Sequence, residues 1–169
     1  MTSSSIRDAV SAASTFLTEH PDEAHYRDAH ARARLGEDLS VDVDGPGGEQ
    51  LRTDMPKAIG GLATAPSPGW YLRAATASCV ASMIGIRAAA LGIELGPVEV
   101  VVDSESDDRG ILGLETGVPA GALSLKVVVS IRAKRTDRAM LEAVVGWAVD
   151  HCPVSDTVRR AIPIEVEIV

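Results

Sequence analysis

The chain has 169 residues and a formal net charge of −8, with 46% apolar, 24% charged and only 3% aromatic residues. This length and composition predict one globular domain, not a disordered segment, with an interior of Val, Leu, Ile and Ala. Because acidic residues are in excess and no Lys/Arg cluster occurs, nucleic acid is not an expected partner.

The N-terminal sequence and the two cysteines indicate a cytoplasmic protein. The first ten residues, MTSSSIRDAV, contain no basic segment followed by an apolar run of signal-peptide length. The longest uncharged stretch, residues 74–86, is shorter than the about 20 apolar residues that cross a bilayer, so no membrane role is expected. In a reducing compartment a structural disulfide is a poor explanation for two cysteines, and pairing there would indicate a reaction.

The first third of the chain predicts a helix followed by an antiparallel meander. Ser5 is expected to cap the helix and Pro21 to mark its end, because apolar residues between them recur at spacings of three and four. Three short strands separated by Gly-containing turns follow, at residues 29–35, 39–44 and 50–53.

Residues 70–91 predict a long helix whose composition is unusual. Ala, Ser, Thr, Met, Ile and Cys occupy almost every face, and only Arg73 and Arg87 are charged. A helix that is apolar on all sides is expected to be buried. Cys79 shares a face of this helix with Thr76 and Met83, so its thiol should point where that face packs.

The C-terminal half predicts strands, two helices and a last strand. Strands are expected at residues 98–103 and 122–133, joined by a connection over residues 104–121 that includes some strand. A helix capped by Thr136 follows and stops before Pro153, since the residue before a proline avoids helical geometry. A short helix over residues 153–161 and a strand over residues 164–169 complete the pattern.

The two cysteines differ in their local surroundings. Cys152 precedes Pro153, which suits the first position of a helix, so its thiol is expected at a helix N-cap, where unpaired N–H groups favour a thiolate. A small apolar residue at a helix junction explains the same sequence equally well. Cys79 lies among apolar neighbours and is more typical of a packed core residue, because burial raises the pKa of a thiol.

Neither a metal nor a cofactor is expected. His20, His25 and His30 are scattered through the N-terminal region, and His151 is far from them, without zinc-ligand spacing around the cysteines. The glycines of residues 45–48 lack the lysine and the following helix of a phosphate-binding loop.

Two groups of short motifs resemble the pattern of the OsmC/Ohr family. The first group ends in the Ala-rich helix that carries Cys79: Asp54-Met55-Pro56, Gly60-Gly61, Pro66-Ser67-Pro68 and Ala77-Ser78-Cys79. The second is His151-Cys152-Pro153-Val154-Ser155. The resemblance covers about residue 29 to the C-terminus and implies a single OsmC-like domain over residues 21–169, with residues 1–20 as a helical extension.

The resemblance implies an α+β fold and a reaction. Antiparallel sheets would wrap two long buried central helices in an intertwined homodimer. Cys79 would attack an organic hydroperoxide, and Cys152 would resolve the resulting sulfenic acid as a disulfide, which a dithiol such as a lipoyl group would reduce. The implied partners are thus the hydroperoxide substrate, the dithiol or lipoyl reductant and a second copy of the chain.

One position departs from the family pattern. Family peroxidases typically have a glutamate ten residues before the first cysteine, paired with an arginine that activates the thiolate, whereas this chain has Gly69. Several arginines in the N-terminal strands are candidates for that cation: Arg32, Arg34 and Arg52. Two functions therefore stay open, a two-cysteine peroxidase and a non-peroxidatic protein that binds a small apolar ligand or a partner, with cysteines as a slow redox sensor or core residues.

Overall fold

The computed structural model describes residues 3–114 and 117–169. The chain divides into two compact units, a first unit of Ser14–Ala74 and a second unit of Met1–Ala13 with Ala75–Val169. The helices are α1 (Ser3–Glu19), α2 (Pro68–Leu91), α3 (Asp108–Ile111), α4 (Arg138–Asp150) and α5 (Pro153–Arg159). The strands are β1 (Arg32–Leu35), β2 (Val41–Asp44), β3 (Gln50–Thr53), β4 (Leu95–Glu105) and β5 (Ser124–Ala133). The predicted boundary between residues 20 and 21 stays a prediction.

The first unit contains the predicted meander, an antiparallel sheet in the order β1-β2-β3. β1 begins at Arg32 and not at residue 29, because its partner β2 ends opposite it at Asp44. β2 begins at Val41 and not at residue 39, because Leu39 has a φ of 58° and belongs to the preceding turn.

A buried carboxylate organises the loop that follows β3. The carboxylate of Asp54 accepts hydrogen bonds from the backbone N–H groups of Met55 at 2.7 Å, Leu62 at 3.3 Å and Thr64 at 2.8 Å. The Thr64 hydroxyl donates a further bond at 2.8 Å. Within this loop a Cβ on Gly61 would overlap the carbonyl of Met55, so the close backbone approach requires glycine there. The loop is therefore closed around Asp54.

Helix α2 is present as predicted and begins two residues earlier, at Pro68, a residue that suits the first turn of a helix. With 24 residues it is long and apolar enough, by length and composition alone, to cross a membrane. The uncharged stretch of residues 74–86, on which the sequence prediction was based, is shorter than the whole helix. Its fully buried residues Val80 and Ile84 belong to the hydrophobic core of the second unit. The expectation of a helix buried on all sides is wrong for the single chain, since only 28% of its most apolar window is buried.

The core of the second unit is formed by two stripes of residues spaced four apart. The first stripe lies on α2 and consists of Val80, Ile84 and Ala88. The second consists of Val144 and Ala148 on α4 and Cys152 at the start of α5. All six residues are buried. The inner face of the β4–β5 hairpin packs against this cluster through alternate residues such as Val98, Val100, Val127, Val129 and Ile131. The predicted alternation of apolar and polar residues along β5 is thus confirmed, with the apolar side chains towards the core.

Two local predictions need comment. The connection over residues 104–121 includes strand as predicted, because β4 continues to Glu105; the short helix α3 beyond it was not predicted, and residues 115 and 116 lie outside the described part of the chain. The predicted cap of α4 was wrong. The N-cap of α4 is Asp137, whose carboxylate accepts a hydrogen bond of 2.8 Å from the Met140 N–H. The Thr136 hydroxyl instead donates to the Lys134 carbonyl at 3.2 Å, within the turn that precedes α4.

The predicted final strand is also absent. Residues 164–169 pair with no described strand, and Ile164, Val166 and Ile168 are 86%, 83% and 95% exposed. The alternation of apolar residues with Glu165 and Glu167 is typical of a strand. A strand nevertheless forms only when its backbone N–H and C=O groups find an edge to pair with.

The Asp54 loop makes the stability of the chain depend on pH. Hydrogen bonds from the backbone and hydroxyl of Thr64 hold the pKa of Asp54 below its ordinary value. A lowered folded-state pKa contributes stability above about pH 4, and that contribution is lost as the pH falls through the folded pKa. Asp54→Asn should therefore lower the urea midpoint at pH 7 clearly more than near pH 2. Equal losses at the two pH values would show that the charge of Asp54 has no part in closing the loop.

Candidate active site: a cysteine pair

The fold brings Cys79 and Cys152 together, although 73 positions separate them in the sequence. Cys79 lies in α2, and Cys152 follows α4 as the N-cap of α5. Cys79 packs against the core cluster that contains Cys152, and each thiol shifts the pKa of the other; both thiols are free. The packing of the core brings the two residues together. Cys152 is the last member of the second stripe, and Cys79 immediately precedes Val80, the first member of the α2 stripe.

The sequence around Cys152 explains its position. Asp150 is the last residue of α4, and Pro153 occupies the first position of α5, so the chain changes direction at His151 and Cys152. The Cys152 sulfur accepts a hydrogen bond from the Ser155 N–H at 3.4 Å. The predicted N-cap position of Cys152 is therefore confirmed.

The two thiols differ in exposure. Cys152 has 0% of its surface exposed and belongs to the core, whereas Cys79 is half-buried. Within the single chain, Cys79 is therefore the more accessible of the two residues.

The same contacts act on the two pKa values in opposite directions. Burial raises the pKa of Cys79, and the hydrogen bond with Cys152 raises it further, against a smaller lowering by the Val154 N–H. Burial also acts to raise the pKa of Cys152, but hydrogen bonds from the Ser155 hydroxyl, the Cys79 thiol and the N–H groups of Ser155 and Val154 together lower it below its ordinary value. The donors at the start of α5 therefore favour the thiolate of Cys152 over that of Cys79.

Ser155 is a site residue that the sequence analysis did not single out. An N-cap side chain accepts from the N–H two or three positions later, so the spacing between Cys152 and Ser155 was the available signal. Beside the pair, His151 stacks on Trp147 with ring centroids 4.1 Å apart, and the Arg87 guanidinium lies 4.8 Å from the centre of the Trp147 ring. Among the described residues no group of three His, Cys, Asp or Glu side chains could hold a metal ion.

The arginines that the family pattern suggests lie in the first unit. Arg34 and Arg52 form ion pairs with Asp44 and Asp42 in the three-stranded sheet. Within the second unit, the groups that shift the pKa of Cys79 are Cys152 and the Val154 N–H, together with burial. Gly69 lies in the first turn of α2, where a Cβ would be 3.8 Å from the Arg73 Nη1.

A family comparison assigns the chain. The family model described as OsmC-like protein matches residues 60–167, which include both cysteines. The chain belongs to the OsmC-like protein family. A search of curated proteins finds no match.

Solved OsmC-like structures share the fold of this chain at low sequence identity. An OsmC-like protein from Mycoplasma pneumoniae has a TM-score of 0.68 and 17% identity, with 81% of this chain and 91% of that chain covered. An organic hydroperoxide resistance protein OsmC from Legionella pneumophila has a TM-score of 0.60 and 24% identity over 80% and 91%. The organic hydroperoxide resistance protein OhrB of Bacillus subtilis has a TM-score of 0.53 and 22% identity over 80% and 93%. The predicted α+β fold with antiparallel sheets is thus confirmed.

The position of Gly69 predicts the effect of restoring a carboxylate. In Gly69→Glu the acid would precede Arg73 by four residues, the favourable order for an ion pair on a helix. We expect Gly69→Glu to be more stable than Gly69→Gln by about 0.3–0.5 kcal/mol, because both variants gain helix propensity but only the first gains the ion pair. Urea unfolding of the two variants at low salt measures this difference. Equal midpoints would show that the introduced carboxylate does not pair with Arg73.

Proposed function

We propose that this chain is a thiol-dependent peroxidase that reduces organic hydroperoxides with a pair of cysteines. The proposal is carried by the approach of Cys79 to Cys152 in the core of the second unit, since the two residues come from distant parts of the chain. The names of the Legionella and Bacillus neighbours, organic hydroperoxide resistance proteins, support the substrate class.

In the first step Cys79 loses its proton, and its sulfur attacks the outer oxygen of the hydroperoxide. An S–O bond forms, the O–O bond breaks, and the alkoxide takes up one proton, balancing the one that Cys79 lost, to leave as the alcohol. Cys79 is oxidised to a sulfenic acid while the peroxide is reduced. The greater exposure of Cys79 supports this assignment, since Cys152 is fully covered.

In the second step the Cys152 thiolate attacks the sulfur of the sulfenic acid. An S–S bond forms, the S–O bond breaks, and the hydroxide that leaves takes a proton to become water. A dithiol then returns two electrons to the disulfide and is itself oxidised to a disulfide. A lipoyl group has this chemistry and is the reductant we propose.

We also propose that the functional form is a homodimer in the cytoplasm. Helix α2 is apolar on almost every face, yet only 28% of its most apolar window is buried within one chain. An open, mainly apolar groove of about 980 Å³ also lies between β5 and α4, lined by residues such as Val127, Val129, Ile131, Leu141 and Val145. A second copy would cover apolar surface of this extent.

The alternative is a non-peroxidatic OsmC-like protein that binds a small apolar ligand or a partner. The raised pKa of Cys79 favours this alternative, because a protonated thiol is a weak nucleophile. Gly69 in place of the family glutamate points the same way. Such a protein would react with peroxide slowly and only once.

Peroxide turnover separates the two functions. With tert-butyl hydroperoxide and dihydrolipoamide, we expect the wild-type protein to consume many equivalents of peroxide and to form a Cys79–Cys152 disulfide, detected by mass spectrometry of a non-reduced digest. Cys152→Ser should lose turnover and accumulate a sulfenic acid on Cys79, because the resolving thiol is gone. Cys79→Ser is the matched control and should consume no peroxide.

Two results would contradict the peroxidase. Consumption of one equivalent or less would leave the binding protein as the function. Oxidation of Cys152 in the Cys79→Ser control, at the wild-type rate, would show that the roles of the two cysteines are reversed.

The dimer makes a separate prediction. Sedimentation velocity at micromolar concentration should give a species of twice the chain mass, because the uncovered apolar surface of α2 would otherwise face water. A well-folded monomer under these conditions would contradict the proposed assembly without bearing on the peroxidase chemistry.

A further inference from the structure

Arg87 is a half-buried cation without a counter-charge. It lies on α2, and its Nε is buried without a hydrogen-bond partner. Within residues 3–114 and 117–169 its two Nη groups make no hydrogen bond or ion pair either, and they are not buried. Partial removal of a guanidinium from water is costly without an acceptor, so this position indicates an anion that the described chain does not supply.

An aromatic side chain supports this cation. The Arg87 guanidinium lies 4.8 Å from the centre of the Trp147 ring, which belongs to α4. His151 stacks on Trp147 with ring centroids 4.1 Å apart, and its Nδ1 is 2.8 Å from the Trp147 carbonyl oxygen. A ring beneath a guanidinium fixes its position and leaves its edge N–H groups for an acceptor. The open Nη groups therefore form a fork that fits a carboxylate.

The cation lies on the same side of α2 as the accessible cysteine. Cys79, Met83 and Arg87 are spaced four apart, and the first and last are about 12 Å apart along the helix at about 1.5 Å per residue. Across the helix contact, Trp147 precedes Cys152 by five residues. Because Arg87 meets Trp147 while Cys79 approaches Cys152, α2 and α4 run antiparallel, and the cation and the cysteines occupy two levels of one contact.

Apolar side chains lie between these two levels. Met83 is half-buried and packs against the core cluster, and the half-buried Ile86 follows Cys79 by seven residues, which places it on the same side of α2. A hydrocarbon chain along this side would cover the exposed parts of both residues. With single bonds of about 1.5 Å, an extended chain of about eight to ten carbons spans this distance.

We propose that Arg87, supported by Trp147, binds the carboxylate of an amphiphilic carboxylic acid whose hydrocarbon chain runs along α2 towards Cys79. One guanidinium fork matches the single charge and the two oxygens of a carboxylate. For the peroxidase, the inference rests on the proposed function and narrows its substrate class to hydroperoxides that carry a carboxylate about eight to ten carbons from the O–O bond. For the binding protein, the same site defines the ligand.

A binding measurement tests the site without peroxide. Octanoate and 1-octanol have the same chain and differ in charge, and calorimetric titration of each into the reduced protein gives two affinities. Wild type should bind octanoate about tenfold more tightly, the size expected for hydrogen bonds to a charged group. Arg87→Met keeps an apolar side chain without the charge and should bind both ligands equally.

Arg138→Met is the matched control for net charge. It removes one positive charge from α4, at a side chain that is 92% exposed and paired with Glu142, and should retain the preference for octanoate. If Arg87→Met lowers the unfolding midpoint of the protein, Arg87→Gln repeats the titrations. The comparison of the two ligands in wild type does not depend on any variant.

Turnover provides the second measurement. In wild type, kcat/KM for 10-hydroperoxydecanoic acid should exceed that for its methyl ester about tenfold, mainly through KM, because the carboxylate is bound equally before and during the reaction. In Arg87→Met the two values should be equal. tert-Butyl hydroperoxide has no carboxylate, so both proteins should consume it at the same rate, which excludes a general loss of structure.

The outcomes distinguish the site from the proposed function. Equal affinities of wild type for octanoate and 1-octanol would overturn the carboxylate site, as would a preference that persists in Arg87→Met or is lost equally in Arg138→Met. Equal kcat/KM values for acid and ester in an active wild type would overturn the substrate class. A wild type that consumes no peroxide but binds octanoate through Arg87 would overturn the peroxidase and support the site.

Discussion

The cysteine pair depends on the packing of two helical stripes. Val80, Ile84 and Ala88 on α2 and Val144, Ala148 and Cys152 after it are spaced four apart, so each set lies along one side of its helix. Burial of a Val or Ile side chain contributes about 1.5–3 kcal/mol, which makes this contact a main source of stability in the second unit. Because Cys152 is itself a member of a stripe, the packing that forms the core also positions the candidate active site.

Within that contact, the surroundings shift the pKa values of two identical groups in opposite directions. Both thiols are removed from water, and burial alone would keep both protonated. Only Cys152 lies where a helix begins, and so only Cys152 receives enough donors to reverse the effect. The asymmetry therefore arises from backbone geometry at the turn between α4 and α5. It requires neither the glutamate that Gly69 replaces nor an arginine from the sheet.

Much of the fold was predictable because its signals are local. Helix α2 and strand β5 follow from residue periodicity, and the N-cap at Cys152 follows from Pro153. Predictions failed where the outcome depends on which group a side chain or strand meets: Asp137 caps α4 in place of Thr136, and residues 164–169 have strand alternation without a strand to pair with. The approach of Cys79 to Cys152 is of the same kind. No spacing in the sequence encodes a contact across 73 positions, and only the family resemblance implied it.

The complete burial of Cys152 also determines which sulfur of the disulfide a reducing thiol would attack. In a disulfide between the two sulfurs, an incoming thiolate reaches the half-buried Cys79 side and has no path to the covered one. Attack at Cys79 expels Cys152, and thiol–disulfide exchange is faster when the departing sulfur is the less basic of the two. The donors around Cys152 thus make it the leaving group, so the mixed disulfide with the reductant forms on the more accessible sulfur, where a second thiol of the reductant can complete the exchange.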